Sequence, residues 1–391
     1  MDAKAAAQST VAGAGEALVE LSHLIHDHPE LGFEEDRSYA WLTDALAGAM
    51  EVEGGVADLP TAFVATAGPG PLTIGICAEY DALPGIGHAC GHNVIAAAAV
   101  GAGLALAGLA DDLGLTVKVF GTPAEEGGGG KILMLERGAF AGVHAAMMVH
   151  PAPMEQTNMP CLAVSHLDVH YTGKSAHASA FPELGLNAAD AITVAQVGVG
   201  LLRQHIGPRD RIHGIVTKGG DAPNIVPEAT TVKYYVRSQT MAALAELEPR
   251  VRRCFEAGAL ATGCTVRVEQ MSPIYSEMRQ DAELEALYRG NAEALGRVFP
   301  DIPQQIMERT AGSTDMANIS LAMPTIHPML GLNCLPAVNH QAEFAAAAVT
   351  PTADLAITDG AVAMAWTCID AVQTESVRAR LLAGSGAATA G

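Results

Sequence analysis

The sequence predicts an α/β protein: a mixed, mostly parallel sheet flanked by helices, carrying an inserted α+β domain of ferredoxin-like type. Three observations predict it. Apolar strand-like runs alternate with helical segments over residues 1–160 and again from Asp281. Between them the order changes to β-α-β-β-α-β, that of a split βαβ unit. The chain, at 391 residues, also exceeds one typical core. The expected boundaries are 1–160 and 272–391 for the two parts of the larger domain, and 161–271 for the insert.

Each element follows from a local pattern. Glu16 to His26 has apolar positions at helical spacing, and Pro29-Glu30-Leu31-Gly32 ends that helix. A second helix is expected over Asp36 to Leu46, then strands at Ala62 to Thr66 and Leu72 to Cys77. An Ala-rich helix from Asn93 to Leu109, a strand from Leu115 to Phe120, a helix from Lys131 to Arg137 and a strand from Ala145 to His150 follow. Leu162 to Tyr171 alternates as a half-exposed strand does. It leads to a helix over Leu186 to Gln204, strands at Arg211 to Lys218 and Ala229 to Ser238, a helix from Met241 to Ala261 and a strand from Thr265 to Gln270. The last helix spans about Thr350 to Val372, and the Gly/Ala/Ser-rich tail from Leu382 is expected to be disordered.

Composition narrows the function. A formal charge of -21 offers no basic face, which argues against nucleic acid and against an anionic membrane surface as partners. An anionic substrate would need a local Arg. No uninterrupted run of about twenty apolar residues appears, so no transmembrane helix is expected. Met1 to Gly15 lacks the apolar core of a signal peptide. Seven scattered cysteines do not resemble a disulfide framework, so a reducing cytoplasm is expected.

The chemistry concentrates at strand ends, where open α/β sheets bind ligands. The segment Glu79 to Asn93 follows a buried strand and brings a carboxylate, a thiol and two imidazoles to its end. Cys90 and His92, two apart, would leave the same face of an extended segment. Such a set suits a zinc-, manganese- or cobalt-type ion. A Cys-His nucleophile dyad is the alternative, disfavoured because one intervening residue hinders a thiol–imidazole hydrogen bond. The next strand runs into Glu125 and Glu126 and then Gly127 to Gly130. Adjacent side chains diverge, so one Glu can ligate a metal while the other faces water, as metal-assisted hydrolysis requires. The strand after that ends at Val149-His150-Pro151, and a late loop carries His340. Taken singly, each of these is compatible with an ordinary surface or core residue.

Taken in order, the motifs resemble a known family. They are His28-Pro29-Glu30-Leu31-Gly32-Phe33-Glu34-Glu35, Asp81-Ala82-Leu83-Pro84, His88-Ala89-Cys90-Gly91-His92, Pro123-Ala124-Glu125-Glu126, Val149-His150-Pro151, Gly173-Lys174-Ser175-Ala176-His177-Ala178, Asn224-Ile225-Val226-Pro227 and His340. The resemblance covers nearly the whole chain. It is to the di-metal aminoacylase, carboxypeptidase G and indole-acetyl-amino-acid hydrolase metallopeptidases (peptidase family M-20). Within them it is closest to the amidohydrolase branch near p-aminobenzoyl-glutamate hydrolase and the β-alanyl-lysine-type dipeptidases.

That resemblance implies a zinc-exopeptidase-like catalytic domain with a lid and dimerisation insert. It implies two divalent ions per chain (zinc, manganese, cobalt or nickel) on Cys90, His92, Glu126, His150 and His340, with Cys90 touching both. Glu125 would be the general base, and Asp81 would orient a ligand imidazole. His177 would reach a partner subunit's site in a homodimer and stabilise the oxyanion. Asn224 and Arg237 would grip the free carboxylate of an acyl- or aminoacyl-amino acid. The segment Gly312 to Met316, with Ser313, would form pocket wall, although Asp315 could equally cap a helix. Gly173 and Gly219-Gly220 would let the lid close. Asn93, Ile95 and the Gly312 to Met316 motif depart from the commoner pattern and favour the dipeptidase-like sub-branch. A dipeptidase or hydrolytic deaminase on the same site remains open, as does a non-catalytic metal or peptide binder. Retention of both Glu125 and Glu126 speaks against the binder.

Overall fold

Asp2 starts the first helix by accepting the Lys4 amide, so α1 (Ala3–Asp27) begins well before the expected Glu16. The alanines preceding Glu16 favour a helix in spite of Gly13 and Gly15, and Ala7 and Val11 in that stretch are buried. The computed structural model describes residues 2–303, 307 and 311–384. The chain divides into two compact units, Met1–Pro160 with Met278–Gly391, and Cys161–Glu277.

In the first unit, α1 is followed by α2 (Asp36–Ala47), β1 (Glu51–Gly54), β2 (Phe63–Ala67), β3 (Leu72–Ala78), α3 (His92–Ala107), α4 (Ala110–Leu113), β4 (Leu115–Gly121), α5 (Gly130–Glu136), β5 (Ala145–Met147) and β6 (His150–Ala152). The second unit runs β7 (Ala163–Thr172), α6 (Ala188–Leu202), β8 (Arg211–Lys218), β9 (Ala229–Ser238), α7 (Met241–Thr262) and β10 (Thr265–Gln270). The first unit then resumes with α8 (Ala282–Ala294), α9 (Met316–Ala322), β11 (Thr325–Ile326), β12 (Met329–Gly331), α10 (Ala342–Ala347), α11 (Pro351–Gln373) and α12 (Glu375–Gly384).

The main sheet has the order β1-β2-β4-β3-β5-β11, and its β4-β3-β5-β11 stretch is parallel. Side chains alternate across it: Ile74 and Ile76 join the core with α1, α3 and α11, while Cys77 faces Met134 of α5 and Met316 of α9. Nearly every residue of α3 is buried, as befits a helix apolar on all sides. Among the described residues, α11 is the one helix long and apolar enough to cross a membrane by length and composition. Its apolar residues lie in the same core. The second unit's sheet, order β10-β7-β9-β8, is antiparallel throughout and packs on α6 and α7.

Several details differ from expectation. The strand expected over Ala145 to His150 is two short strands, because β5 pairs with β3 and β11 while β6 pairs with β12 in a separate ladder. The edge strand β1 is short and mostly exposed, so it left no apolar pattern. Gly173 and Gly219-Gly220 lie inside the second unit, not at its junctions. Gly173 is instead packed, its amide donating to Glu228 O at 2.7 Å. Residues 382–384 close α12, and the rest of the expected disordered tail, 385–391, lies outside the described residues.

Candidate metal centre and active site

The candidate ligands converge on the carboxyl ends of the parallel strands. Beyond β3, Gly91 takes φ +77° and turns the chain so that Cys90 precedes the helix that His92 begins. A turn, not the shared face of an extended segment, therefore brings Cys90 and His92 together. Only glycine fits there, since a Cβ would sit 2.8 Å from Pro151 Cβ. Cys90 Sγ and a His92 ring nitrogen belong to one group of potential ligand atoms that lie within 4.8 Å of one another.

Cys90 Sγ lies 3.5 Å from His150 Nε2 and 3.5 Å from His340 Nε2. Glu126 Oε1 lies 3.6 Å from His340 Nε2. Three groups of potential ligand atoms have all members within 4.8 Å of one another: Cys90 with His92 and His150, Cys90 with Glu126 and His340, and Glu79 with His92 and Glu125. Bond lengths of about 2.3 Å to sulfur and 2.0–2.1 Å to nitrogen give a tetrahedral S···N edge of about 3.5 Å. The first two groups have the donor chemistry and spacing for divalent ions.

The orientation of the imidazoles agrees with this fit. His92 Nδ1 meets Asp81 Oδ1 at 3.0 Å, and His150 Nδ1 meets Pro151 O at 2.8 Å. Each contact places the proton on Nδ1 and leaves Nε2 as the free lone pair. Asp81 also accepts the Glu126 amide at 3.0 Å, tying the two loops together. His92 Nε2 and Glu126 Oε1 are buried without a hydrogen-bond partner. Orphaned buried polar atoms are rare, and a bound cation is what these would satisfy.

Glu125 and Glu126 do not diverge as adjacent residues on a regular element would. Ala124 takes φ +56°, and Glu125 Oε2 and Glu126 Oε1 both approach His92 Nε2, at 3.9 and 3.8 Å. Burial, then the Glu79, Glu126 and Asp315 carboxylates, pushes the Glu125 carboxyl well above its ordinary value. Burial also pushes the Cys90 thiol up, with Glu126 adding to it. A nearby divalent cation reverses that effect on a thiol. Burial holds the His150 imidazole down, to about 4.

Three neighbours escaped the sequence reading. Glu79 Oε2 lies 3.4 Å from His92 Nε2. Lys131, read as an ordinary helix start, is buried and paired to Glu79 and Asp315. His327 is buried with both ring nitrogens unpartnered, its ring centroid 5.3 Å from that of His150. A carboxylate ending an apolar strand and a lysine ending a glycine run were the available signals; His327 had none. Asp315 stands at the start of α9, but its side chain makes no cap bond and turns to Lys131 instead. Asn93, the departure beside His92, donates to Ser22 Oγ and Ala348 O at 2.9 and 3.0 Å. Ser313 is half-buried on the loop before α9.

His177, Asn224 and Arg237 belong to the second unit. His177 and Asn224 are exposed and sit on adjoining loops, with the Ala178 amide donating to Asn224 O at 3.0 Å. His177 Nδ1 faces the Ser179 and Ala180 amides at 3.3 and 3.2 Å. Arg237 lies on β9, its Nε 3.3 Å from His213 Nε2 and its guanidinium over the Tyr235 ring.

Comparison with known proteins identifies the family of the chain. The model of Peptidase family M20/M25/M40 matches residues 75–356. The chain is 39% identical over 377 residues to an Xaa-Arg dipeptidase of Mus musculus, covering 92% of this chain and 86% of the relative. It is 35% identical over 273 residues to one of the p-aminobenzoyl-glutamate hydrolase polypeptides of Escherichia coli (strain K12), covering 63% of this chain and 56% of that protein. In fold it matches a dinuclear metal binding peptidase of Bacillus subtilis with a TM-score of 0.68 at 20% identity, covering 93% of this chain and 99% of that one. The chain belongs to peptidase family M20/M25/M40, and the resemblance read from its motifs is borne out at that level.

Proposed function

We propose that this member of peptidase family M20/M25/M40 hydrolyses the amide of a dipeptide or N-acyl amino acid whose leaving amino acid carries a free carboxylate. The carrying observation is the convergence of Cys90, His92, Glu126, His150 and His340, with buried atoms left unmatched, beside Glu125. Cys90, His92 and His150 would hold one divalent ion, and Cys90, Glu126 and His340 the second. The mixed S, N and O set suits zinc, manganese, cobalt or nickel. Bound there, the ions supply Lewis-acid polarisation of the amide carbonyl and a water of lowered pKa.

The chain's own groups do the rest. Glu125 takes the proton of the attacking water and returns it to the leaving amine, a role suited to a carboxyl whose pKa is raised by burial and neighbouring carboxylates. Asp81 keeps the His92 proton on Nδ1. In the lid reading of the insert (161–271), His177 acts on the oxyanion. Two amides directed at its Nδ1 leave the proton on Nε2, which makes that nitrogen a donor. Asn224 and Arg237 take the substrate carboxylate, and Ser313 forms pocket wall. The insert serves as the dimer interface, and the seven free thiols suit a reducing cytoplasm.

A dipeptide with a basic C-terminal residue is the favoured substrate. A relative 39% identical carries the name Xaa-Arg dipeptidase. A chain of net charge -21 also draws a cationic substrate toward it. The test is hydrolysis of matched panels of Xaa-Arg dipeptides, Xaa-Glu dipeptides and N-acyl amino acids by metal-loaded protein. Preference for the Xaa-Arg panel, abolished by chelator, is expected. Binding of these compounds without turnover would favour the non-catalytic binder, and ammonia release from an amidine or amine substrate would favour the deaminase.

A further inference from the structure

Behind the ligand cluster three charged side chains meet: Glu79, Lys131 and Asp315, all fully buried. Lys131 Nζ lies 2.6 Å from Glu79 Oε1 and 2.7 Å from Asp315 Oδ1. The Lys131 amide donates to the other oxygen of Asp315 at 2.8 Å. One carboxylate therefore holds Lys131 by both its main chain and its side chain. Burial works against the ammonium, but Asp315 and then Glu79 keep it charged. The cluster joins three segments: the end of β3, the first turn of α5 just after the glycine run, and the loop before α9.

A buried ion cluster is a weak source of stability, since a well-packed apolar replacement is often as stable. Its position says more. Gly127 to Gly130 give the turn that carries Glu125 and Glu126 wide conformational freedom. At Gly130 glycine is required, because a Cβ would meet Pro123 O at 1.8 Å. Such a turn needs fixing from outside. On one side the Ala124 amide donates to Glu35 Oε1 at 2.8 Å. On the other side stands Lys131 with its clamp.

We propose that Lys131 is a positioning residue of the hydrolytic site. Clamped by Asp315, it fixes the glycine turn so that Glu125 and Glu126 keep their places beside His92. Through Glu79 it also fixes the carboxylate nearest His92 Nε2. The inference rests on the reading of Glu125 as the base that serves amide hydrolysis.

The experiment uses Asp315→Asn, which preserves size and the Lys131–Glu79 pair while removing the negative charge and one of the two Asp315 oxygens that accept from Lys131. Turnover of the metal-loaded enzyme and amide exchange of the metal-loaded and metal-free protein are both measured. The expected result is a kcat lowered roughly 10- to 100-fold with KM unchanged, the effect of a small displacement of a catalytic group. Amide exchange should quicken over residues 124–131 while that of α11 stays as in the parent. Lys131→Met should enlarge both effects; if it does not fold, Asp315→Asn decides alone. Unchanged kcat, unchanged exchange in the turn, or exchange quickened across the whole unit overturns the proposal. If the parent hydrolyses no amide at all, the hydrolase reading fails, and the exchange comparison still decides whether Lys131 anchors the turn.

Discussion

Two of the clusters of buried charge in the larger unit, one around Arg297 and one around His92, are finished differently. Around Arg297 every nitrogen has an acceptor: Nε reaches Glu155 Oε1 at 2.5 Å, Nη1 reaches Asp359 Oδ2 at 3.2 Å and Nη2 reaches Gly331 O at 2.5 Å. Around His92 the pattern is the reverse. His92 Nε2, Glu126 Oε1, Glu79 Oε2 and both nitrogens of His327 are buried with no hydrogen-bond partner. The first cluster cross-links the fold and leaves one buried atom, Glu155 Oε2, without a hydrogen-bond partner. The second has acceptors and lone pairs to spare, which costs stability unless something cationic joins it. Buried charge alone therefore does not mark a functional site; several unmatched ligand-type atoms gathered in one place do.

The sharpest way to break this contrast is Glu125→Gln. It should leave metal content unchanged and lower turnover by about 10²- to 10⁴-fold, the span of general base catalysis. Assays of kcat beside metal analysis check it, and near-normal turnover would remove Glu125 from the mechanism.

Next comes Arg297→Met, which leaves Glu155 buried without its cation. Unfolding measurements should show a loss of about 3–5 kcal/mol, with the ion count per folded chain unaltered. Loss of metal at unchanged stability would merge the two clusters into one.

Glu35 tests the support beneath the Glu125 turn. Burial, then Asp81, raises its carboxyl to about 7 from 4.5. The folded state then holds the proton more tightly than the unfolded state. Its contribution is present below about pH 4.5 and is lost as pH rises through about 7, amounting to roughly 3 kcal/mol. Glu35→Gln should flatten that part of the pH–stability curve, as thermal melts from pH 4 to 8 would record.

The smallest effect is expected for Asp81→Asn. Disturbing the partner of a ligand imidazole should weaken metal binding by about 10- to 100-fold, read by competition with a chelator. An unchanged affinity would mean that Asp81 does not set the His92 tautomer.

Much of this was legible in the sequence, for identifiable reasons. Strand β3 is a largely apolar run and β4 alternates apolar residues with Thr116 and Lys118, so their ends could be located, and with them Cys90, His92, Glu125 and Glu126. What a linear reading lacks is the conformation of turns. Gly91 at φ +77° and Ala124 at φ +56° reverse the side-chain directions that regular strands and helices would give. Partners across long loops were likewise hidden: Lys131 and Asp315 are 184 residues apart, and each alone looks like an ordinary helix terminus. His327, in an apolar context, carries no pattern at all. The early start of α1 was missed because small residues form helices without an amphipathic stripe, and the mixed ladder at β5 and β6 because pairing partners come from β11 and β12.

The central claim is that His92 Nε2 and Glu126 Oε1, buried and unmatched, belong to ligands of a metal pair. Elemental analysis of the purified protein after reconstitution and desalting tests it most directly, with hydrolysis followed before and after chelation. About two divalent ions per chain are expected, with hydrolysis of the dipeptide panel lost to chelator and restored by added metal. No retained ion and no hydrolysis after reconstitution would contradict it.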